Sequence, residues 1–167
     1  MTAYQITSMM EGVVQRGTAT VVREVGKPVA GKTGTTNDEK DAWFIGFTPD
    51  LAVGCYIGFD KPRHLGRGAT GGHIAAPIVK DFLKAALADK PAVPFRMPPG
   101  LKLVRIDPRN GMRAMGGETR TILEAYKPGT SPPDSYSPIG ADGDGRSYAV
   151  PADADRTMMR SGTGGLY

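Results

Sequence analysis

The ten residues PVAGKTGTTN at positions 28–37 constrain the fold of this chain more than any other segment. Within them lie a cation (Lys32), three hydroxyls (Thr33, Thr35 and Thr36) and a gap with no side chain (Gly34). Side chains alternate between the two faces of a strand, so an extended segment places Lys32 and Gly34 on one face and Thr33 and Thr35 on the other. Such a strand at a sheet edge can offer hydroxyls and amides to a carboxylate or to a developing oxyanion.

A second motif competes for the same residues. Residues 26–33, GKPVAGKT, match the phosphate-binding pattern G-x-x-x-x-G-K-[ST] at every position. A phosphate loop has to lead into a helix, because the helix N-terminus and the loop amides bind the phosphates. The residues after Thr33 make a poor first helical turn, and Pro28 removes one amide from the proposed cradle. The strand is therefore the favoured interpretation, and nucleotide binding through Gly26–Thr33 stays open as the alternative.

Size and charge exclude several classes of protein. The length of 167 residues suggests roughly one domain, and the net charge of +4 is spread out, with no basic run interleaved with aromatic residues. No nucleic-acid partner is therefore expected. Cys55 is the only cysteine, so no internal disulfide can form. The sequence has no window of about 18 apolar residues that would predict a membrane span, and its start lacks the features of a secretory signal.

Hydrophobic periodicity predicts an α+β fold in which helices flank an antiparallel sheet. Residues 18–25 fit a short helix or a strand equally well, and Thr2 is expected to cap the first helix. The remaining predicted elements are, in order, a helix over 3–15, strands over 28–35, 41–48 and 51–59, and a helix over 74–88 with Pro77 in its first turn.

The two strands 41–48 and 51–59 are predicted to form a hairpin with a turn at Pro49-Asp50. Alternation places Trp43 and Ile45 on one face of the hairpin and Phe44 on the other. Because both faces carry bulk, we expect helices to cover both, and the aromatic side chains and Cys55 to lie in the core.

Composition divides the chain into three regions. Residues 1–90 hold the predicted sheet and helices, and residues 91–130 read as an extension with a possible hairpin about an Asn110-Gly111 turn. Residues 131–167 are rich in glycine and proline and are predicted to be disordered. Within the first region, residues 60–72 form a Gly-rich basic loop. His64 in this loop and His73 just after it have no metal-ligand spacing, so no metal and no other cofactor is expected.

Several ordered blocks of this sequence carry a family resemblance. They are ITSMMEGVVQRGTA, PVAGKTGTTNDEKDAWFIGFTPDLAVGCYIGFD and TGGHIAAPIVKDFLKAAL, followed by PFRMPPGL and YKPGTSP. In this order they resemble the C-terminal half of the transpeptidase domain of class A penicillin-binding proteins, in particular of the 1A type. The resemblance covers residues 2–132, and it implies half of a serine β-lactamase-like, DD-transpeptidase-like fold.

The resemblance also implies a chemistry. In the family, a serine attacks the D-Ala-D-Ala end of a peptidoglycan stem peptide and passes the acyl group to an amine, and β-lactams acylate the same serine. The implied partners are the stem peptide, β-lactams and the rest of the transpeptidase domain. The implied location of the parent enzyme is the periplasmic face of the bacterial inner membrane.

By the same resemblance, Lys32, Thr33 and Gly34 are the K-T-G box that lines the substrate cleft. Thr33 and Thr35 would hold the substrate carboxylate through their hydroxyls, and the backbone N–H of Thr35 would donate to the oxyanion. Lys32 would help to position the proton-transfer network. The implied catalytic residues are therefore Lys32 and Thr35, and the implied substrate-binding residues are all four.

The sequence departs from the family pattern at the other two boxes. No serine of this chain begins S-x-x-K, which would hold the nucleophile, and none begins S-x-N. The glycosyltransferase domain and membrane anchor of the family are absent as well. We therefore expect a fragment that carries one wall of the site and is inactive alone. A non-catalytic module that binds peptide carboxylates is the other interpretation.

Overall fold

The structure is a computed structural model that describes residues 1–116 and 120–133, together with the backbone of residues 136–141 and 147–151. The chain forms two compact units. The first contains residues 1–102 and 124–128, and the second contains the other residues from 103 onward. The three predicted regions, 1–90, 91–130 and 131–167, stay a prediction.

The first unit consists of two helices and a three-stranded antiparallel sheet in the order β1-β2-β3. Its elements are α1 (Thr2–Arg16), a 3₁₀ helix (Thr20–Val25), β1 (Ala30–Thr35), a 3₁₀ turn (Asn37–Glu39), β2 (Asp41–Phe47), β3 (Ala52–Gly58), a π-helical turn (Gly71–Ala75) and α2 (Ala76–Ala86). The α+β class, both helices, the strands and the hairpin are confirmed, and the undecided segment before β1 is helical.

Local hydrogen bonds account for where these elements begin and end. In the β2–β3 turn the Thr48 hydroxyl accepts the N–H groups of Asp50 and Leu51 at 3.3 and 3.1 Å. Helix α1 ends where the Gly17 N–H donates to the Val13 carbonyl at 3.1 Å. The predicted cap was wrong, because Thr2 is already the first helical residue and no side chain caps this N-terminus.

One face of the sheet is packed by helices. Phe44 on β2 is fully buried against Val79 and Leu83 of α2 and Val22 of the 3₁₀ helix, in a core that also contains Val14 of α1. Burying each such side chain contributes about 1.5–3 kcal/mol. Cys55 is half-buried at the border of this core, so its prediction as a core residue holds only in part.

The opposite face of the sheet is open, which corrects the prediction of helices on both faces. Trp43, Ile45 and Tyr56 lie on this face and are 43%, 53% and 50% exposed. The Trp43 and Tyr56 rings pack at 4.6 Å between centroids. The Tyr56 hydroxyl donates to Asp41 Oδ1 at 2.8 Å, and this hydrogen bond raises the pKa of Tyr56. The alternation predicted from sequence is present, but within the described residues no helix covers this face.

The apolar stripes of both helices are likewise wider than the core that they face. Val79 and Leu83 of α2 and Leu87 just after it are buried, whereas Ile78 and Phe82 are about half exposed. On α1, Val14 is buried and Val13 and Met10 are half-buried, whereas Ile6 and Met9 are exposed. The predicted helical periods are correct, but only part of the apolar stripe of α1 is buried.

The chain reverses direction after β4 (Lys102–Ile106). The Gly111 N–H donates to the Asp107 carbonyl at 2.8 Å, and an isolated bridge joins Ile106 to Arg113. The predicted turn is therefore present, but the sheet partner of β4 is β5 (Ile122–Tyr126), which was not predicted. The Arg109 guanidinium holds the pKa of the buried Asp107 carboxyl at about 2.

The structure describes the backbone of part of the tail that was predicted to be disordered. Strands β6 (Tyr136–Ala141) and β7 (Ser147–Pro151) pair antiparallel with an irregularity in register. The rest of the tail lies outside the described residues, so its disorder stays a prediction.

Candidate active site

Lys32 to Thr35 lie extended in β1, as predicted, at the edge of the three-stranded sheet. In the register with β2, Lys32 is opposite Ile45 on the open face and Thr33 is opposite Phe44 on the covered face. Lys32 and Gly34 therefore point to the open face, and Thr33 and Thr35 point to the helix side.

The geometry contradicts the phosphate-loop alternative. Gly26 ends the 3₁₀ helix in a left-handed conformation, and the chain then enters an antiparallel strand at Ala30. Thr33 lies in mid-strand and does not open a helix. The amides of the motif therefore do not converge on a common anion at a helix N-terminus, as phosphate binding requires.

The backbone of β1 directs the Thr35 amide to the outer edge of the sheet. The Thr36 N–H donates to the Asp41 carbonyl on β2 at 3.1 Å. Successive residues of a strand direct their amides to opposite edges, so the Thr35 N–H points away from β2. This placement is the one that an oxyanion donor at the sheet edge needs.

Contacts from other elements hold the two hydroxyls. Thr33 Oγ1 lies 2.7 Å from Thr18 Oγ1, just after α1, and either atom can be the donor. Thr35 Oγ1 accepts the Gly71 N–H at 3.1 Å from the start of the π-helical turn. Both hydroxyls therefore have a fixed neighbour and keep hydrogen-bonding capacity for a ligand. The sequence reasoning missed Thr18 and Gly71, and no motif marks either residue.

Lys32 keeps its charge near the strand. Its Nζ donates to the Thr33 carbonyl at 2.9 Å, its side chain is exposed, and none of the ion pairs between described residues includes it. An ammonium group has three donors, so two stay available to a ligand or to a serine network.

Two glycines let the backbone approach closely around this strand. A Cβ on Gly34 would lie 3.2 Å from Trp43 Cβ, and a Cβ on Gly71 would lie 2.1 Å from the Trp43 carbonyl oxygen. The π-helical turn therefore rests directly on the backbone of the sheet, and only glycine fits at position 71.

A cavity of about 400 Å³ lies elsewhere in the first unit, between the start of β1, the β2–β3 turn and the end of α2. Its lining includes Lys27, Pro49, Leu87 and Val93 but none of the residues from 32 to 35. The cation, the two hydroxyls and the outward amide that lie along one strand mark the candidate site, and cavity size does not. Within the described residues no group of three or more His, Cys, Asp or Glu side chains could hold a metal ion.

Comparison with known proteins assigns the chain to a family. A family model described as the penicillin-binding protein transpeptidase domain matches residues 1–84, half of the chain. The chain belongs to the penicillin-binding protein transpeptidase family. The family resemblance carried by the sequence blocks is thereby confirmed.

Named relatives agree with this assignment. Penicillin-binding protein 1A of Rickettsia conorii is 47% identical over 124 residues, and that of Pseudomonas aeruginosa is 42% identical over 133 residues. These matches cover 74% and 79% of this chain but only 15% and 16% of the relatives.

A crystal structure of penicillin-binding protein 1A from Haemophilus influenzae superposes with a TM-score of 0.67 at 33% identity. The match covers 78% of this chain and 21% of that one. The predicted fold, part of a transpeptidase domain, is confirmed. Among the described residues, no helix has the length and apolar character needed to cross a membrane.

Proposed function

We propose that this chain supplies the K-T-G wall of a transpeptidase that cross-links peptidoglycan stem peptides. A serine outside this chain attacks the carbonyl carbon between the two D-Ala residues. An ester bond forms, the peptide bond breaks, and the terminal D-Ala leaves with a protonated amine. An amine of a second peptide then attacks the ester, forms the cross-link and returns the proton to the serine oxygen.

In this proposal, the polar groups of β1 bind the substrate and stabilise the intermediates of the reaction. The outward Thr35 N–H stabilises the oxyanion of both tetrahedral intermediates, and a donor of this kind lowers the barrier by about 3–4 kcal/mol. The hydroxyls of Thr33 and Thr35 bind the terminal carboxylate of the peptide, or that of a β-lactam. Lys32 supplies positive charge to the proton-transfer network of the serine. The outward amide beside two held hydroxyls is the observation that carries this proposal.

The open face of the sheet supports the proposal of a partner. Lys32 shares that face with Trp43 and Ile45, both of which are exposed. A segment that brings a serine to Lys32 has to approach from this side and would bury the apolar side chains there. The partner is the rest of the transpeptidase domain, at the periplasmic face of the bacterial inner membrane.

The experiment is a hybrid enzyme in which this chain replaces its matching segment in the Haemophilus influenzae penicillin-binding protein 1A. We expect fluorescent penicillin to label the hybrid and not the chain alone. Thr33→Val and Thr35→Val remove one hydroxyl each and should lower the second-order acylation constant by about 10- to 100-fold, because a hydrogen bond to a charged group is lost.

Thr7→Val is the matched control, because the Thr7 hydroxyl donates to the Ala3 carbonyl of its own helix and lies outside the site. Covalent labelling of the chain alone would overturn the proposal, and so would equal acylation rates in the two β1 variants and the control. Saturable binding of a D-Ala-D-Ala peptide by the chain, with no labelling of the hybrid, would instead favour the non-catalytic carboxylate-binding module.

A further inference from the structure

The Gly-rich loop, residues 60–72, is tied to the end of β1 by Glu39. Both carboxylate oxygens of Glu39 accept the Gly68 N–H, at 3.0 and 3.1 Å. The Glu39 carbonyl accepts the Leu65 N–H at 3.0 Å, and His64 Nε2 lies 3.4 Å from the carboxylate. One half-buried residue therefore fixes the loop through its backbone and its side chain.

The fixed part of the loop leads directly to the candidate site. The Gly68 carbonyl accepts the Thr70 N–H at 2.8 Å and lies 3.1 Å from His73 Nδ1. The next residue, Gly71, donates its N–H to Thr35 Oγ1 at 3.1 Å. Only two residues separate Gly68, which Glu39 holds, from Gly71, whose amide contacts the site.

The backbone at Glu39 is held in an unusual conformation. Asp38 and Glu39 have φ values of +59° and +49°, and they are the only non-glycine residues with positive φ among the described residues. Such conformations cost free energy and persist where the surroundings enforce them, often at functional sites. Here the strained pair follows the end of β1 after two residues and turns the Glu39 side chain towards Gly68.

We propose that Glu39 is a positioning residue that sets the direction in which Thr35 donates its hydroxyl proton; this inference rests on the proposed function. A threonine hydroxyl has one proton and two acceptor sites. When the Gly71 N–H occupies one acceptor site, the proton of Thr35 points away from Gly71 and stays available to a ligand carboxylate. Glu39 maintains that arrangement by holding Gly68, and so gives the Gly-rich loop a role in ligand binding.

The first test measures hydrogen exchange of the 167-residue chain by mass spectrometry. Glu39→Ala removes both acceptor atoms, and it should speed deuterium uptake over residues 64–72 without changing uptake over β2. Glu39→Gln keeps a carbonyl acceptor for Gly68 and should exchange like the unchanged chain. Asp38→Asn is the matched control, because the Asp38 side chain is 72% exposed and pairs with Lys40, away from the loop. Unchanged uptake over 64–72 in Glu39→Ala would overturn the inference.

The second test uses the hybrid enzyme and the acylation constant with fluorescent penicillin. Glu39→Ala should lower this constant by about 3- to 10-fold, the range expected for one impaired hydrogen bond, and Glu39→Gln should restore most of it. If the hybrid is labelled and its Glu39→Ala variant has the same acylation constant, the inference about Glu39 is wrong but the proposed function is not contradicted. If fluorescent penicillin does not label the hybrid at all, both the proposed function and this inference are wrong.

Discussion

At the scale of single residues, the hydroxyl of Thr18 has the most direct effect on the candidate site. It lies 2.7 Å from the hydroxyl of Thr33, and the two residues are 15 positions apart. If Thr33 gives its proton to a carboxylate, Thr18 has to act as the donor to Thr33. A chain of two such hydrogen bonds polarises the terminal hydroxyl and strengthens its bond to the anion.

Thr18→Val keeps the shape of the side chain and removes this donor. In the hybrid enzyme we expect the second-order acylation constant with penicillin to fall by about 3- to 10-fold, because one neutral hydrogen bond is lost. Thr18→Ser retains the hydroxyl and should restore the constant. The inference about Thr18 is wrong if the valine and serine variants react equally fast.

At the scale of elements, the packing of the π-helical turn against the sheet determines where α2 begins. Gly71 lies so close to β2 that a methyl group there would be 2.1 Å from the Trp43 carbonyl oxygen and 2.5 Å from that of Gly34. Backbone cannot yield as a flexible side chain does, so any side chain at position 71 pushes the helix off the sheet. The covered face of the sheet therefore depends on one glycine.

Gly71→Ala should destabilise the chain by about 1–3 kcal/mol, the usual cost of overpacking. Gly54→Ala is the control, because its added methyl group would meet only Ile45 Cγ1, at an ordinary 3.8 Å. Urea unfolding followed by fluorescence of Trp43, the only tryptophan, measures both variants. Equal urea midpoints for the two variants would show that the π-helical turn does not pack against the sheet as described.

At the scale of the whole molecule, the open sheet face is the largest departure from what a soluble globular unit requires. Exposed apolar side chains on a sheet mark a surface that binds something, and self-association is the simplest outcome when no partner is present. The chain spans about 15% of the length of the Rickettsia relative, which leaves ample sequence in such a protein to provide a partner.

Ile45→Lys places a charge in the middle of this face and should raise the monomer fraction of the chain in sedimentation velocity experiments. Leu103→Lys is the control, because Leu103 is similarly exposed, at 48% against 53% for Ile45, but lies on β4. The open face plays no part in self-association if the two variants sediment alike, or if the unchanged chain is already fully monomeric.

The sequence by itself determined the local structure and the family. Alternation identified β1 and the hairpin, helical spacing identified α1 and α2, and the K-T-G box with its flanking blocks identified the transpeptidase family. These signals are local, because the period of a strand or helix is set by neighbours within a few residues. The same patterns could not say which apolar face would be covered, so Trp43 was wrongly predicted to be core and the face that it shares with Ile45 was wrongly predicted to be covered by helices.

Only the tertiary structure decided what surrounds the site. The partners of Thr33 and Thr35 are 15 and 36 residues away in sequence, and Gly68 is 29 residues from Glu39. No local pattern marks such pairs, because they exist only once distant segments of the chain pack against β1 and the residues that follow it. The strand carries the reactive groups, and the packing of distant segments against it sets their direction.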